Sequence, residues 1–235
     1  VGANIQILLD ILKYQFRKSE KFCAYICGQS QFNKMKTQAT ISADLLQSAM
    51  NYSAYMNLTE QLVNEERTSG PNQSEAYVYY TKLNLQRMKR LNKTISIPTA
   101  LQELVAHKAS HWTWLIITEP WCGDAAQCVP ALEKLALCST QIETKYILRD
   151  EHPEVMDAYL TNGGRAIPKL ICLDENLHEV FTWGPRPAVI QEVMNELKAN
   201  GVTEIAQIVE AIQKAYNDDK QDGIYNEFNS LLKGL

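Results

Sequence analysis

The residues best suited to chemistry in this chain are its six cysteines: Cys23, Cys27, Cys122, Cys128, Cys138 and Cys172. Cys122 stands apart because the stretch EPWCGDAAQCVPALEKLALC (119–138) reads as a tight loop running into an amphipathic helix, with Cys122 at the helix start. Free backbone N–H groups and the positive end of the helix dipole favour an anion there. The thiolate is the nucleophile of disulfide exchange, so this is where a working sulfur belongs. Asp124 acts in both directions. It supports the first helical turn, yet its negative charge opposes a thiolate beside it. Cys128 lies six residues along the same helix, a rise of about 9 Å. A disulfide needs Cα atoms within about 7 Å, so a Cys122–Cys128 bond requires the first turn to unwind.

The other cysteines read differently. Cys138 and Cys172 sit in apolar surroundings, LALCST and PKLICLD, and behave as small core residues. Cys23 and Cys27 are one helical turn apart but lack a second pair or a histidine to complete a zinc site. Nothing places His107, His111, His152 or His178 beside Cys122 for Cys–His catalysis. The sequence shows no metal site, nucleotide fingerprint, paired-carboxylate centre or other cofactor motif.

Composition bounds the rest. With 46% apolar and 21% charged residues in a chain of 235, a packed core is expected rather than disorder. A net charge of −4 supplies no basic field for nucleic acid or anionic lipid. No run of about 20 apolar residues offers a membrane span. At the N-terminus the basic residues Lys13, Arg17, Lys18 and Lys21 follow the apolar stretch, opposite to a secretory signal. The irregular cysteines are unlike a stapled secreted scaffold, so a cytoplasmic location is expected. The chain does not start with Met, and Met35 followed by KTQATISADLL reads as a natural beginning. Residues 1–34 are therefore expected to be an appended or upstream extension.

The elements that must position Cys122 follow from periodicity. HWTWLIIT (111–118) is short, bulky and β-branched, as a buried strand should be. After the helix of 119–138, QIETKYILRD (141–150) reads as a strand and HPEVMDAYLTNGG (152–164) as a helix closed by glycines. RAIPKLICLD (165–174) is a strand that begins at a proline. ENLHEVFTWG (175–184) is a turn and a strand, and 187–200 a helix. Strands alternating with helices imply a parallel pair, and the last two strands a hairpin. Upstream, the pattern predicts one helix over 42–67 capped by Ser42, a second over 75–92 and a third over 99–108. Two more helices are predicted at 203–217 and 221–233. The division is thus 1–34 extension, 35–110 helical region, 111–201 α/β domain and 202–235 C-terminal helical cap.

These residues resemble the thioredoxin superfamily, in particular bacterial thioredoxin-like proteins with a WCGDA motif. Trp121-Cys122-Gly123-Asp124 follows a buried strand and opens a helix, Pro130 lies eight residues past the cysteine, and Ile167-Pro168 precedes the third strand. The resemblance implies an α/β thioredoxin fold, β-α-β-α-β-β-α, with a helical N-terminal extension and C-terminal helices. It also implies a helix-kinking Pro130, a cis-Pro168, Cys122 as the catalytic thiol, and substrate contacts at Trp121, Gly123, Asp124, Ile167 and Pro168. Two positions depart from the family. Ala125 stands where the resolving cysteine belongs, and Ile116 where the buried acid of the proton relay belongs, with Glu119 nearby but on the loop.

Two functions follow. The first is a monothiol thiol–disulfide oxidoreductase, in which Cys122 forms a mixed disulfide with a protein or small-molecule partner. Cys128 is the one further candidate for a catalytic role. The second is a redox-inactive binding module that docks an extended segment along the cis-Pro168 groove, as a strand adds to a sheet edge. A sulfenic-acid-forming thiol is a weaker third, since no positive neighbour of Cys122 is evident. Arg165 is a candidate rim contact and Arg186 a candidate for an anionic ligand. Oligomeric state is not encoded in any feature of the sequence.

Overall fold

Strand β1 (Trp112–Thr118) organises the chain, and its segment Trp114–Ile117 is completely shielded from solvent. The computed structural model describes residues 41–235, so the expected 1–34 extension and the Cys23/Cys27 pair lie outside the described residues. A strand this apolar and β-branched must be covered on both faces, and it takes a central place in a four-stranded sheet of order β2-β1-β3-β4. β2 (Ile142–Leu148) pairs with it in parallel, and β3 (Lys169–Leu173) antiparallel. β4 (Glu179–Trp183) closes the other edge as an antiparallel hairpin partner of β3. The protein is a mixed α/β structure.

The helical region preceding the sheet differs from a single helix over 42–67. Helix α1 (Ala43–Ser48) starts at Ser42, whose hydroxyl accepts from Leu45 N–H at 3.1 Å, but it stops after one and a half turns. Met50 then leaves the helix to exchange two backbone hydrogen bonds with Tyr146, at 3.0 and 2.7 Å, on the outer edge of β2. Covering that edge satisfies N–H and C=O groups that would otherwise face solvent. Asn51 restarts the helix as α2 (Tyr52–Asn64), its side chain accepting from Ala54 N–H at 2.8 Å. Tyr55 of α2 is fully buried and stacks on Tyr146 with centroids 5.5 Å apart. The turn 65–74 leads to α3 (Glu75–Thr94), which packs on the helix that follows β1, and α4 (Thr99–Lys108) begins just after Pro98.

After β1 the chain forms α5 (Gly123–Ala136), which contains Pro130, and α6 (Pro153–Ala158) joins β2 to β3. α6 is far shorter than the segment 152–164. It ends at Tyr159, and Thr161 and Gly164 pair in a tight turn instead. Helices α7 (Ala188–Ala199), α8 (Ile205–Asp219) and α9 (Asp222–Lys233) complete the chain. Amphipathic periodicity in α9 buries Ile224, Phe228 and Leu232, at four-residue spacing, on one face. Phe228 meets Trp114, Phe181 and Trp183 at centroid distances of 5.5–6.2 Å. The C-terminal helix therefore completes the core under β1, β3 and β4. Phe228→Ala is expected to cost about 3–5 kcal/mol in denaturant unfolding, and a loss under about 1 kcal/mol would show that α9 is dispensable.

Candidate functional site

The site is built where β1 runs out. Pro120 and Trp121 follow the buried Glu119, and Cys122 N–H turns back to the Glu119 carbonyl at 3.0 Å. Asn84 of α3, fully buried, donates to the Pro120 carbonyl at 2.9 Å and fixes the loop from the side. Trp121 is held between Tyr77, stacked at 4.9 Å, and the Arg149 guanidinium, 4.7 Å from its ring centroid.

Cys122 is the N-cap of α5. Its sulfur accepts from Ala125 N–H at 3.5 Å and its thiol donates to the Ile167 carbonyl at 3.3 Å. The Ile167–Pro168 and Gly184–Pro185 peptide bonds are both cis. Ile167 and Pro168 are buried, and Gly184 presses so closely on the Pro168 carbonyl that a Cβ there would lie 2.3 Å from it. Only glycine fits that approach, at a φ of +111°.

Burial dominates the electrostatics. The Cys122 side chain is almost fully shielded, and desolvation, reinforced by Asp124, pushes its thiol up to about 12. The helix-start N–H groups of Ala125 and Asp124 and the charge of Arg186 pull the other way and lose. Arg186 is thus a positive neighbour that local sequence does not reveal. Rather than meeting an outside anion, it donates to Asp124 Oδ2 at 2.5 Å, while Tyr216 O–H donates to Asp124 Oδ1 at 2.8 Å. Burial raises the Asp124 carboxyl, and Arg186 and Tyr216 hold it down in part.

The remaining candidates are distributed as follows. Cys128 is fully buried, its sulfur 3.5 Å from Tyr216 Oη, and desolvation raises its thiol far above the ordinary range. Cys122 and Cys128 are both free thiols. Ala125 occupies the third place after Cys122 and is fully buried. Gly123 receives Gln213 Nε2 of α8 at its carbonyl at 3.5 Å. Arg165 makes a bidentate pair with Asp157 at 2.7 Å on the surface. Among the described residues no cluster of three or more His, Cys, Asp or Glu is arranged to hold a metal, and no helix is long and apolar enough to cross a membrane.

Residues that sequence reasoning missed come mostly from distant segments. Tyr77 and Tyr80 of α3, Met194 of α7, and Ile208 and Ile212 of α8 wall a cavity of about 240 Å³ that reaches Cys122. Glu119 does lie on the loop, but it is wholly buried. Its carboxylate accepts from Ser69 Oγ, and from Asp150 N–H at 2.9 Å.

A thioredoxin family profile matches residues 70–198, more than half of the chain. The protein belongs to the thioredoxin family. No curated protein matches the chain. Among solved structures, a crystallised HIV epitope scaffold aligns at 17% identity and a TM-score of 0.48, over 74% of this chain and 94% of its own. A protein of unknown function from Pseudomonas aeruginosa aligns at 19% identity and a TM-score of 0.43, over 72% of this chain and 96% of its own.

Desolvation raises the Glu119 carboxyl to about 7, against the lowering effects of Ser69 and the Asp150 N–H. An acid that holds its proton more tightly when folded favours folding while protonated. That stability is present below the unfolded value of 4.5 and is lost as pH rises through 7. Glu119→Gln, which keeps the geometry without the charge, is therefore expected to flatten the fall in unfolding free energy between pH 4.5 and 7 by on the order of 3 kcal/mol. Parallel stability curves for the two proteins would contradict this assignment.

Proposed function

We propose that the protein is a monothiol thiol–disulfide exchange protein of the WCGDA type, acting through Cys122 on small, largely apolar disulfides. The observation that carries this reading is the position of Cys122: capping α5, beside the Ile167 carbonyl, in the lining of a cavity of about 240 Å³ whose wall is largely apolar but includes Arg87, Asp124 and Arg186. Such a cavity is smaller than a usual drug-sized site, whose range is about 300–1,000 Å³. Helices α3, α7 and α8 stand around it, which favours a compact ligand over a polypeptide.

The chemistry needs one external thiol. The Cys122 S–H gives its proton to solvent, and the sulfur bonds to one sulfur of R–S–S–R′. The S–S bond breaks and the departing R′–S⁻ takes up a proton. A low-molecular-weight thiol R″–SH then attacks the ligand sulfur of Cys122–S–S–R, which yields R–S–S–R″ and returns the Cys122 thiol. Atoms and electrons balance over the cycle with no internal resolving cysteine, in keeping with Ala125. A shielded thiol raised to about 12 makes this exchanger slow and selective at neutral pH rather than a broad reductase.

Docking of an extended segment at Pro168 is the less favoured reading. Ile167 and Pro168 are buried, the Ile167 carbonyl is taken by the Cys122 thiol, and Gly184 covers the Pro168 carbonyl. Strand addition needs open backbone groups at that edge.

Treatment with 2,2′-dithiodipyridine followed by peptide mapping tests the proposal. The expected result is a mixed disulfide on Cys122 that excess thiol reverses, absent in Cys122→Ser and retained in Cys128→Ser. Equal loss in Cys128→Ser would make an unwound Cys122–Cys128 pair the working unit, and no adduct on Cys122 would remove the exchange function.

A further inference from the structure

Behind the wall formed by Gln213 and Arg87 lies a second and larger cavity, about 790 Å³, between the C-terminal half of α3, helix α8 and the α8–α9 corner. Arg87 and Gln213 line both cavities, one on each side of this wall. The volume falls within the ordinary range of small-molecule sites, about 300–1,000 Å³.

Its charge is one-sided. Arg87, Arg90 and Lys220 line it, and no Asp or Glu does, although the whole chain carries a net charge of −4. Arg87 donates to the neutral Asn84 Oδ1 at 2.9 Å, and none of the three cations forms an ion pair with a described residue. By contrast, Lys89 on the same helix α3 pairs with Glu60 at 2.7 Å, and Lys214 on α8 pairs with Asp218 at 2.6 Å. Burial lowers the Arg87 pKa, Tyr79 and Tyr80 oppose that, and the repulsion of Arg90 adds to the lowering. A multiply charged anion would relieve this repulsion, and Arg is well suited to bind carboxylate or phosphate through paired N–H groups.

One residue of the lining also carries an unused acceptor. Gln127 lines the cavity and is only 2% exposed, and its Oε1 has no hydrogen-bond partner. The orientation of that amide is set by its neighbours. The Gly123 carbonyl can only accept, so Gln213 must present its NH₂ group there and its Oε1 to Gln127 Nε2, at 2.8 Å. Gln127 is thereby left with a bare carbonyl oxygen. A buried acceptor without a donor costs about 1–3 kcal/mol, and a ligand hydroxyl or N–H that displaced the Gln127 amide slightly toward the cavity would satisfy it.

We propose that this cavity is a binding site for a small organic anion that carries two or more negative charges, as phosphate or carboxylate, together with a hydroxyl or N–H donor. The cations hold the charged groups and Gln127 takes the donor. The proposal stands apart from the exchange chemistry at Cys122, and neither requires the other.

The test is a thermal-shift titration of the full chain at matched ionic strength with three probes: glucose 6-phosphate, citrate and inorganic pyrophosphate. A specific ligand raises the unfolding midpoint in a saturable manner. The expected result is saturable stabilisation below about 10 mM by glucose 6-phosphate or citrate, both of which carry hydroxyl donors, and weaker binding of pyrophosphate. The exposed substitutions Arg90→Glu and Lys220→Glu, combined, are expected to weaken the best probe at least ten-fold, while Lys89→Glu leaves it unchanged. No saturable shift with any probe would overturn the proposal. So would an equal loss in Lys89→Glu, which would reduce the effect to general charge. Tightest binding by pyrophosphate would remove the donor role of Gln127 from it.

Discussion

The structure depends on one buried carboxylate. Asp124 sits in the first turn of α5 with its side chain only 12% exposed, and a charge there survives only if it is paired. The partners arrive from two other parts of the chain: Arg186 from the turn between β4 and α7, and Tyr216 from α8. This arrangement ties the loop that carries Cys122 to the end of the sheet and to the C-terminal helices. Removing one partner from such a pair leaves an uncompensated buried charge, typically a loss of about 3–5 kcal/mol. The C-terminal helices are therefore part of the site as well as of the core.

The same closure sets the character of the thiol. A helix start by itself draws a cysteine toward the thiolate, and the N–H groups of Ala125 and Asp124 do act in that direction. With α3, α7 and α8 around the loop, the thiol is largely shielded from solvent, and the cost of desolvating an anion exceeds what those dipoles supply. Asp124 adds to that cost at short range, and Arg186, already committed to Asp124, offsets it only in part. Burial, rather than the charge of Asp124, is the larger cause. The thiol rests protonated, with its hydrogen bond directed to the Ile167 carbonyl.

Local pattern made the α/β character legible. The β-branched run 111–118 and the apolar spacing of 203–233 report burial that a neighbouring residue or turn already determines. The break between α1 and α2 was not legible, because it depends on Met50 reaching Tyr146, which lies nearly a hundred residues away. Cys122 was identifiable from its place at a strand-to-helix junction, but its surroundings were not. Asp124 meets Arg186 and Tyr216 across separations of 62 and 92 residues, and Glu119 meets Ser69 across 50. One signal was available: the turn WGPRP holds Arg186 between two prolines, and Asp124 is an acid at a helix start that calls for a cationic partner. Of the three unpaired cations of the second cavity, Arg87 and Arg90 lie one turn apart on α3, but Lys220 joins them from the C-terminal end of α8, so no local window contains all three.

The most direct measurement is the pH dependence of Cys122 alkylation by iodoacetamide, with the modified peptides resolved by mass spectrometry. A thiol pushed up to about 12 should react with a rate that climbs steadily to at least pH 10 without a plateau. A plateau with a midpoint below the roughly 8.5 of a free cysteine would mean that the helix dipole outweighs burial, and would contradict the account of Cys122 as a shielded, slow and selective exchanger.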